Sequence, residues 1–198
     1  ALADISAYLY NDHNTDPLIK AALVHYQFEM IHPFERYNGI VGRIIVPMVL
    51  RDTIGEAMPL ICLSEYLYHN KNEYFDLLRT TQYSGGYIRW IKFFVYAVGE
   101  AAKQSAKLLA QYENDILWAE QQIKENTLSS KSIWGVYNYL KRYPVSSISR
   151  ATEQTRFSFN SISKAMQSLK KTGIVQETAE VRNRIWVHKK LIENLWYF

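Results

Sequence analysis

The stretch that decides the fold reads His32-Pro33-Phe34-Glu35-Arg36-Tyr37-Asn38-Gly39-Ile40-Val41-Gly42-Arg43. Apolar residues recur at helical spacing from Pro17 onward, and this spacing predicts a helix that ends near His32 because Pro33 follows. Residues 43–50 are almost wholly apolar and predict a buried helix on the other side. The stretch is therefore expected to be a loop between two core helices.

The loop has the chemistry of an anion site. The backbone N–H groups that begin a helix have no partner inside it, so they can bind a phosphate. Glycine lets the phosphate approach the backbone, and Arg43 supplies positive charge. The loop also carries a histidine, His32.

These residues resemble the Fic family signature, H-P-F-x-[D/E]-G-N-[G/K]-R-x-x-R. Aligned without gaps, the matching positions are His32, Pro33, Phe34, Asn38, Gly39 and Arg43. The departures are Arg36 for the acidic residue, Tyr37 for glycine and Ile40 for the first arginine. Further likeness lies in residues 17–23, 59–60, 64–66, 73–74 and 90–94, so the resemblance spans most of residues 1–115.

The resemblance implies the transfer of AMP from ATP to a Ser, Thr or Tyr hydroxyl of a protein. In such proteins the histidine matching His32 takes the hydroxyl proton, so His32 is the catalytic candidate. Main-chain amides bind the phosphates, and the arginine matching Arg43 binds the γ-phosphate. The nucleotide-binding candidates are Asn38, Gly39, Gly42 and Arg43.

The departures bear on this mechanism. The resemblance implies ATP as the ligand. The family's acidic residue holds Mg²⁺, and Arg36 at that position cannot ligate a metal, so no metal-binding residue is proposed. Either Arg36 itself neutralises phosphate charge, or the site has lost catalysis. Tyr37 adds a side chain where the family has glycine, which is costly if φ is positive there.

The resemblance also bears on the extent of the chain. Fic proteins usually carry a hairpin flap before the segment that resembles residues 1–10, and many carry an inhibitory helix farther upstream. Neither is found in this sequence, which is therefore expected to be the later part of a longer protein. We assign residues 1–126 to a Fic-like helical domain.

Isolated residues and composition suggest an ordinary globular protein. The single cysteine, Cys62, has apolar neighbours and is expected in the core, which fits the reducing cytoplasm. His25 precedes His32 by two helical turns and is expected to be structural. No apolar run is long enough to span a membrane, so no membrane partner is expected.

Charge divides the chain near residue 130. Residues 1–130 carry 11 Lys and Arg against 15 Asp and Glu, whereas residues 131–198 carry 12 against 4. A polar joint at 127–130 marks the predicted boundary. Beyond it the order of elements resembles a winged helix-turn-helix: helices at 133–140, 148–154 and 160–171, strands at 174–178 and 184–188, and a wing at 179–183.

This second domain, residues 127–198, is expected to bind DNA or a protein. Polar residues outside the apolar stripe of the third helix could reach bases or phosphates, and the wing adds charge. The DNA-binding candidates are Asn160, Ser161, Lys164, Gln167, Lys171, Arg182 and Arg184.

Two functions stay open on the sequence, within a mainly α fold that ends in a small α+β domain. One is a Fic-type nucleotidyltransferase with a winged-helix tail. The other is a catalytically impaired Fic-fold transcriptional regulator that binds DNA through residues 127–198. A homodimer is expected in either case.

Overall fold

The computed structural model describes residues 1–55, 61–126, 130–178 and 184–196. Contacts divide the chain into two compact units, Ala1–Lys107 and Leu108–Phe198. Each unit contains its own hydrophobic cluster. The fold is mainly α with a small three-stranded antiparallel sheet, as the sequence predicted.

The first unit is helical. Its elements are α1 (Leu2–Asn11), α2 (Pro17–Ile31), α3 (Asn38–Ile54), α4 (Leu63–His69), α5 (Lys71–Ser84) and the first part of α6 (Tyr87–Glu125). Asp16 begins α2, since its carboxylate accepts from the amides of Leu18 and Ile19 and Pro17 needs no acceptor at the first position. Helix α2 therefore starts where the sequence indicated.

Aromatic packing holds α2 against the rest of this unit. Trp90 of α6 is fully buried, and its indole N–H donates to the carbonyl oxygen of Ala22 at 2.8 Å. Val46 and Leu50 of α3 complete the same cluster. The loop between α2 and α3 is therefore anchored at both ends by buried helices.

Two sequence expectations in this unit were wrong. Residues 44–50 are not wholly buried, because Ile44 is 54% exposed and Met48 is 62% exposed, while Val46 and Leu50 face the core. Cys62 is exposed, not packed in the core.

The second unit combines helices with the sheet. Its elements after α6 are α7 (Lys131–Arg142), β1 (Val145–Ser147), α8 (Ile148–Gln154), α9 (Phe159–Lys171), β2 (Val175–Glu177), β3 (Ile185–His188) and α10 (Lys189–Trp196). The strand order is β1-β3-β2, with Ser146 opposite Trp186 and Gln176 opposite Val187. Strand β1 and helix α10 were not predicted.

The winged-helix assignment and the domain boundary stay predictions. The proposed wing at 179–183 and residues 127–129 of the proposed joint lie outside the described residues. Contacts divide the chain at residue 107, earlier than the predicted boundary, because Ala119 and Ile123 of α6 pack in the second cluster. No helix within the described ranges is long and apolar enough to cross a membrane.

Candidate functional site

His32 closes α2. Its amide donates to the carbonyl oxygen of Phe28 at 3.1 Å, and its φ of 48° and ψ of 58° place it in the left-handed region. Histidine adopts this conformation more readily than most residues, and Pro33 prevents another helical turn. The exposed imidazole therefore stands at the end of a fixed helix.

A single hydrogen bond defines the chemistry of this imidazole. Nδ1 of His32 lies 3.3 Å from the carbonyl oxygen of Glu29. A carbonyl can only accept, so Nδ1 carries the hydrogen and Nε2 of the neutral ring keeps its lone pair. His32 is thus held as a proton acceptor that presents Nε2.

The loop after His32 is closed by Asn38. The Asn38 side chain accepts from the amide of Phe34 at 2.9 Å and donates to the Phe34 carbonyl at 2.6 Å. It is only 2% exposed. Its carboxamide therefore shapes the loop, and its backbone amide is a separate donor that an anion could use.

The first turn of α3 offers that amide. Tyr37 precedes the helix with φ at 68° and no side-chain cap, and its carbonyl accepts from the amides of Ile40 and Val41. The amides of Asn38 and Gly39 come before these bonds, where a helix leaves N–H groups for an anion. The anion cup, as we name it, consists of these two amides.

Gly42 lies one turn deeper and is buried. A Cβ there would overlap Oε1 of Glu29 and would stand 3.3 Å from the ring of His25. Glycine at this position therefore leaves room for the Glu29 carboxylate and the His25 ring between α2 and α3. The structure places Gly42 behind the cup, so its predicted role in nucleotide binding would be indirect.

His25 supports the same turn from below. Its Nδ1 donates to the carbonyl oxygen of Gly42 at 2.9 Å, and its Nε2 lies 3.1 Å from the hydroxyl of Tyr74, which donates. Burial lowers the pKa of His25 to about 4. The residue is a neutral packing histidine, as the sequence predicted.

Glu29 is a residue of this region that sequence reasoning missed. Its Oε1 is buried with no hydrogen-bond partner among the described residues. Burial raises the pKa of Glu29, against the opposing charges of His32 and Arg43. Its position three residues before His32, on the same helical face, was the signal available.

Arg43 lies across the first turn of α3. Its Nε donates to the hydroxyl of Ser64 at 2.9 Å, and its Nη1 is 3.0 Å from where a Cβ of Gly39 would stand. The guanidinium is half-buried and faces the cup from the side of α4. Ser64, which positions it, was another residue that the sequence did not mark as functional.

The positions that depart from the signature are all exposed. Glu35 and Arg36 have no ion-pair partner in the part of the chain that the structure describes. Tyr37 is 70% exposed and Ile40 is 50% exposed. No cluster of metal-ligating side chains occurs among the described residues.

An open cleft of about 950 Å³ lies elsewhere in this unit. Residues of α1, α2, the loop between them and α3 line it, including Leu9, Phe28 and Met48. Its lining contains none of the residues predicted to bind nucleotide. This cleft is therefore separate from the cup.

In the second unit, α9 places four of the predicted DNA-binding residues on one face. Buried Ile162, Ala165, Met166 and Leu169 fill the opposite face. The exposed face, which we name the α9 stripe, consists of Asn160, Lys164, Gln167 and Lys171. None of the four makes a side-chain hydrogen bond or ion pair within the described ranges.

The remaining predicted DNA-binding residues differ from the stripe. Ser161 is half-buried and pairs with the capping hydroxyl of Ser158 at 3.0 Å. Arg184 forms an ion pair with Glu177 at 3.1 Å, and Glu177 also pairs with Lys170 at 2.8 Å. These two cations hold the pKa of Glu177 below its usual range, and the hydrogen bond from Lys170 is the largest cause. Arg182 lies outside the described residues.

Comparison with known proteins gives two findings. The family model of the Fic/DOC family matches residues 1–50. A crystal structure of a Fic family protein from Desulfovibrio desulfuricans G20 is similar over 95% of this chain, with 15% sequence identity and a TM-score of 0.49. The chain spans 54% of the length of that protein.

Proposed function

We propose that the chain, whose residues 1–50 match the family model of the Fic/DOC family, transfers AMP from ATP to a protein hydroxyl. One observation carries the proposal: Nδ1 of His32 is bound to the Glu29 carbonyl, which leaves Nε2 as a proton acceptor at the end of a fixed helix. The anion cup follows six positions after His32, at Asn38, across a loop that Asn38 closes.

The reaction follows from these groups. The hydroxyl oxygen of the acceptor attacks the α-phosphorus of ATP as its proton passes to Nε2 of His32. The bond from the α-phosphorus to the bridging oxygen breaks, and pyrophosphate leaves. The amides of Asn38 and Gly39 would stabilise charge that develops on the phosphate oxygens, and Arg43 would bind the leaving phosphates.

The residues at the site do not fit the Mg²⁺ of the family. Arg36 stands where the metal-binding carboxylate belongs, and a guanidinium has no lone pair to offer. The positive charge available to ATP is therefore that of Arg43 and exposed Arg36. The loss of the first arginine at Ile40 removes one further phosphate contact.

Incubation with ATP labelled at the α-phosphate tests the proposal, with the chain itself and a cell extract as acceptors. We expect label on protein, released pyrophosphate, and loss of both by at least a hundredfold in His32→Ala. His69→Ala, at an exposed histidine in α4, is the matched control and should keep the activity.

A second variant distinguishes an absent activity from a weakened one. The triple change Arg36→Asp, Tyr37→Gly and Ile40→Arg restores the family signature and should raise transfer at least tenfold when Mg²⁺ is present. Failure of both the wild type and this variant to transfer label, with and without Mg²⁺, would refute the transferase.

The α9 stripe favours a second function, DNA binding through residues 127–198, which would make the chain a regulator if its transfer activity is impaired. Lys164 and Lys171 lie on one exposed face and have no carboxylate partner in the part of the chain that the structure describes, so both can contact phosphates. The net charge of residues 131–198 is also positive, as binding to the DNA backbone requires.

Fluorescence anisotropy with a labelled 24-base-pair duplex tests this second function. Affinity should fall steeply as salt rises, and Lys164→Ala should lower the slope by about 1. Lys170→Ala removes the same charge from the same helix, but Lys170 is paired with Glu177, so its effect should be smaller. Binding that does not respond to salt would contradict phosphate contacts.

A further inference from the structure

The side chains on the α9 stripe alternate between carboxamide and ammonium groups. Asn160 and Gln167 carry the carboxamides, and Lys164 and Lys171 carry the positive charges. A lysine can contact a backbone phosphate whatever the DNA sequence is, whereas a carboxamide that faces a groove can distinguish bases. The two kinds of side chain therefore suit two different tasks on the same helix face.

The chemistry of the carboxamides points to one base. Asn and Gln present a donor and an acceptor side by side, which matches N7 and the N6 amino group of adenine in the major groove. Arginine or lysine is the commonest partner of guanine, and a carboxylate accepts from cytosine; on this stripe the lysines are assigned to phosphates. Residues 159–171 contain neither an arginine nor a carboxylate.

A neighbouring aromatic residue agrees with this choice. Phe159 begins α9 and is 53% exposed, although an aromatic side chain of this size is usually buried. An apolar group at this position can contact the methyl group of thymine, the partner of adenine. The exposed end of α9 thus carries groups for both members of an A·T pair.

The spacing of the carboxamides sets a distance between the bases. Seven residues of α-helix span about 10 Å between Asn160 and Gln167. Base pairs are stacked about 3.4 Å apart, so this length corresponds to about three steps. We propose that α9 is a reader of adenine bases, with Asn160 and Gln167 contacting two adenines about three base pairs apart in the major groove.

This inference rests on the proposed DNA binding. Selection from a pool of 24-base-pair duplexes with randomised central positions, followed by sequencing, tests it with the whole chain. We expect enrichment of adenines about three base pairs apart. On the selected duplex, Asn160→Ala and Gln167→Ala should each lose about tenfold in affinity and relax the preference at one position.

Two controls sharpen the result. Asn138→Ala removes an exposed carboxamide of α7 and should leave affinity and preference unchanged. Replacement of a selected adenine by 7-deazaadenine removes the N7 acceptor and should cost the wild type about tenfold, but should cost the matching alanine variant nothing further.

The outcomes separate the two proposals. Salt-dependent binding with no base preference, with a preference for guanine through the lysines, or with a preference that survives both alanine variants overturns the adenine readout and leaves DNA binding intact. Failure to bind any duplex, or binding of a protein by this face in place of DNA, overturns both.

Discussion

At the scale of single residues, Tyr37 is the position where the local backbone disagrees with the side chain. Its φ of 68° lies in the left-handed region, which costs a residue with a Cβ about 1 kcal/mol. We expect Tyr37→Gly to be more stable than Tyr37→Ala by about 1 kcal/mol, because both lose the ring and only glycine adopts this φ freely. Denaturant unfolding measures the difference.

Tyr96 supplies the control for that comparison. Tyr96 is exposed within α6, where the backbone is helical. Tyr96→Ala should therefore be more stable than Tyr96→Gly by about 1 kcal/mol, the opposite order to the two Tyr37 variants. Equal stability of the two Tyr37 variants would show that the positive φ is not retained in solution.

The sequence predicted some features at this scale and not others. The family signature has glycine at position 37, so the sequence indicated a conformational cost for Tyr37 if φ is positive there. The φ of Tyr37 is positive. The role of Asn38 did not follow, since a carboxamide can bind a ligand or close a loop with the same groups, and only the Phe34 contacts distinguish the two. Glu29 was missed because its buried Oε1 depends on the approach of Gly42.

At the scale of helices and strands, prediction succeeded where polar and apolar residues alternate. In α9 the inward residues were recognised from their period, and all of Ile162, Ala165, Met166 and Leu169 are buried. In α3 the run from Ile44 to Leu50 has no polar face, so its period could not show that Ile44 and Met48 face outward. Strand β1, with its serines at Ser146 and Ser147, is too short and polar to give a signal.

At the scale of the whole molecule, composition and packing divide the chain at different places. The excess of positive charge begins near residue 131, whereas the second cluster already includes Ala119 and Ile123. Charge marks the residues that face solvent, and packing follows the apolar residues, so a helix such as α6 can change cluster without a change in charge. Composition alone therefore places such a boundary only roughly.

The two units share a sensitivity to acid that arises from one buried histidine in each. Burial lowers the pKa of both His25 and His188 to about 4, and the Nε2 of His188 has no hydrogen-bond partner among the described residues. In the unfolded chain a histidine has a pKa of about 6.5, so between these values the unfolded state binds more protons. The contribution of each buried histidine to the free energy of unfolding should therefore be at its maximum above about pH 6.5. It should fall by roughly 3 kcal/mol for each histidine as the pH drops toward 4.

Variants assign this loss to the two residues. Denaturant unfolding at several pH values between 7 and 4 should show a shallower decline in His25→Asn and in His188→Phe, because neither replacement takes up a proton there. His69→Asn, at an exposed position, should keep the decline of the wild type. A decline as steep in His25→Asn and His188→Phe as in the wild type would mean that carboxylates, and not these imidazoles, bind the protons that unfold the chain in acid.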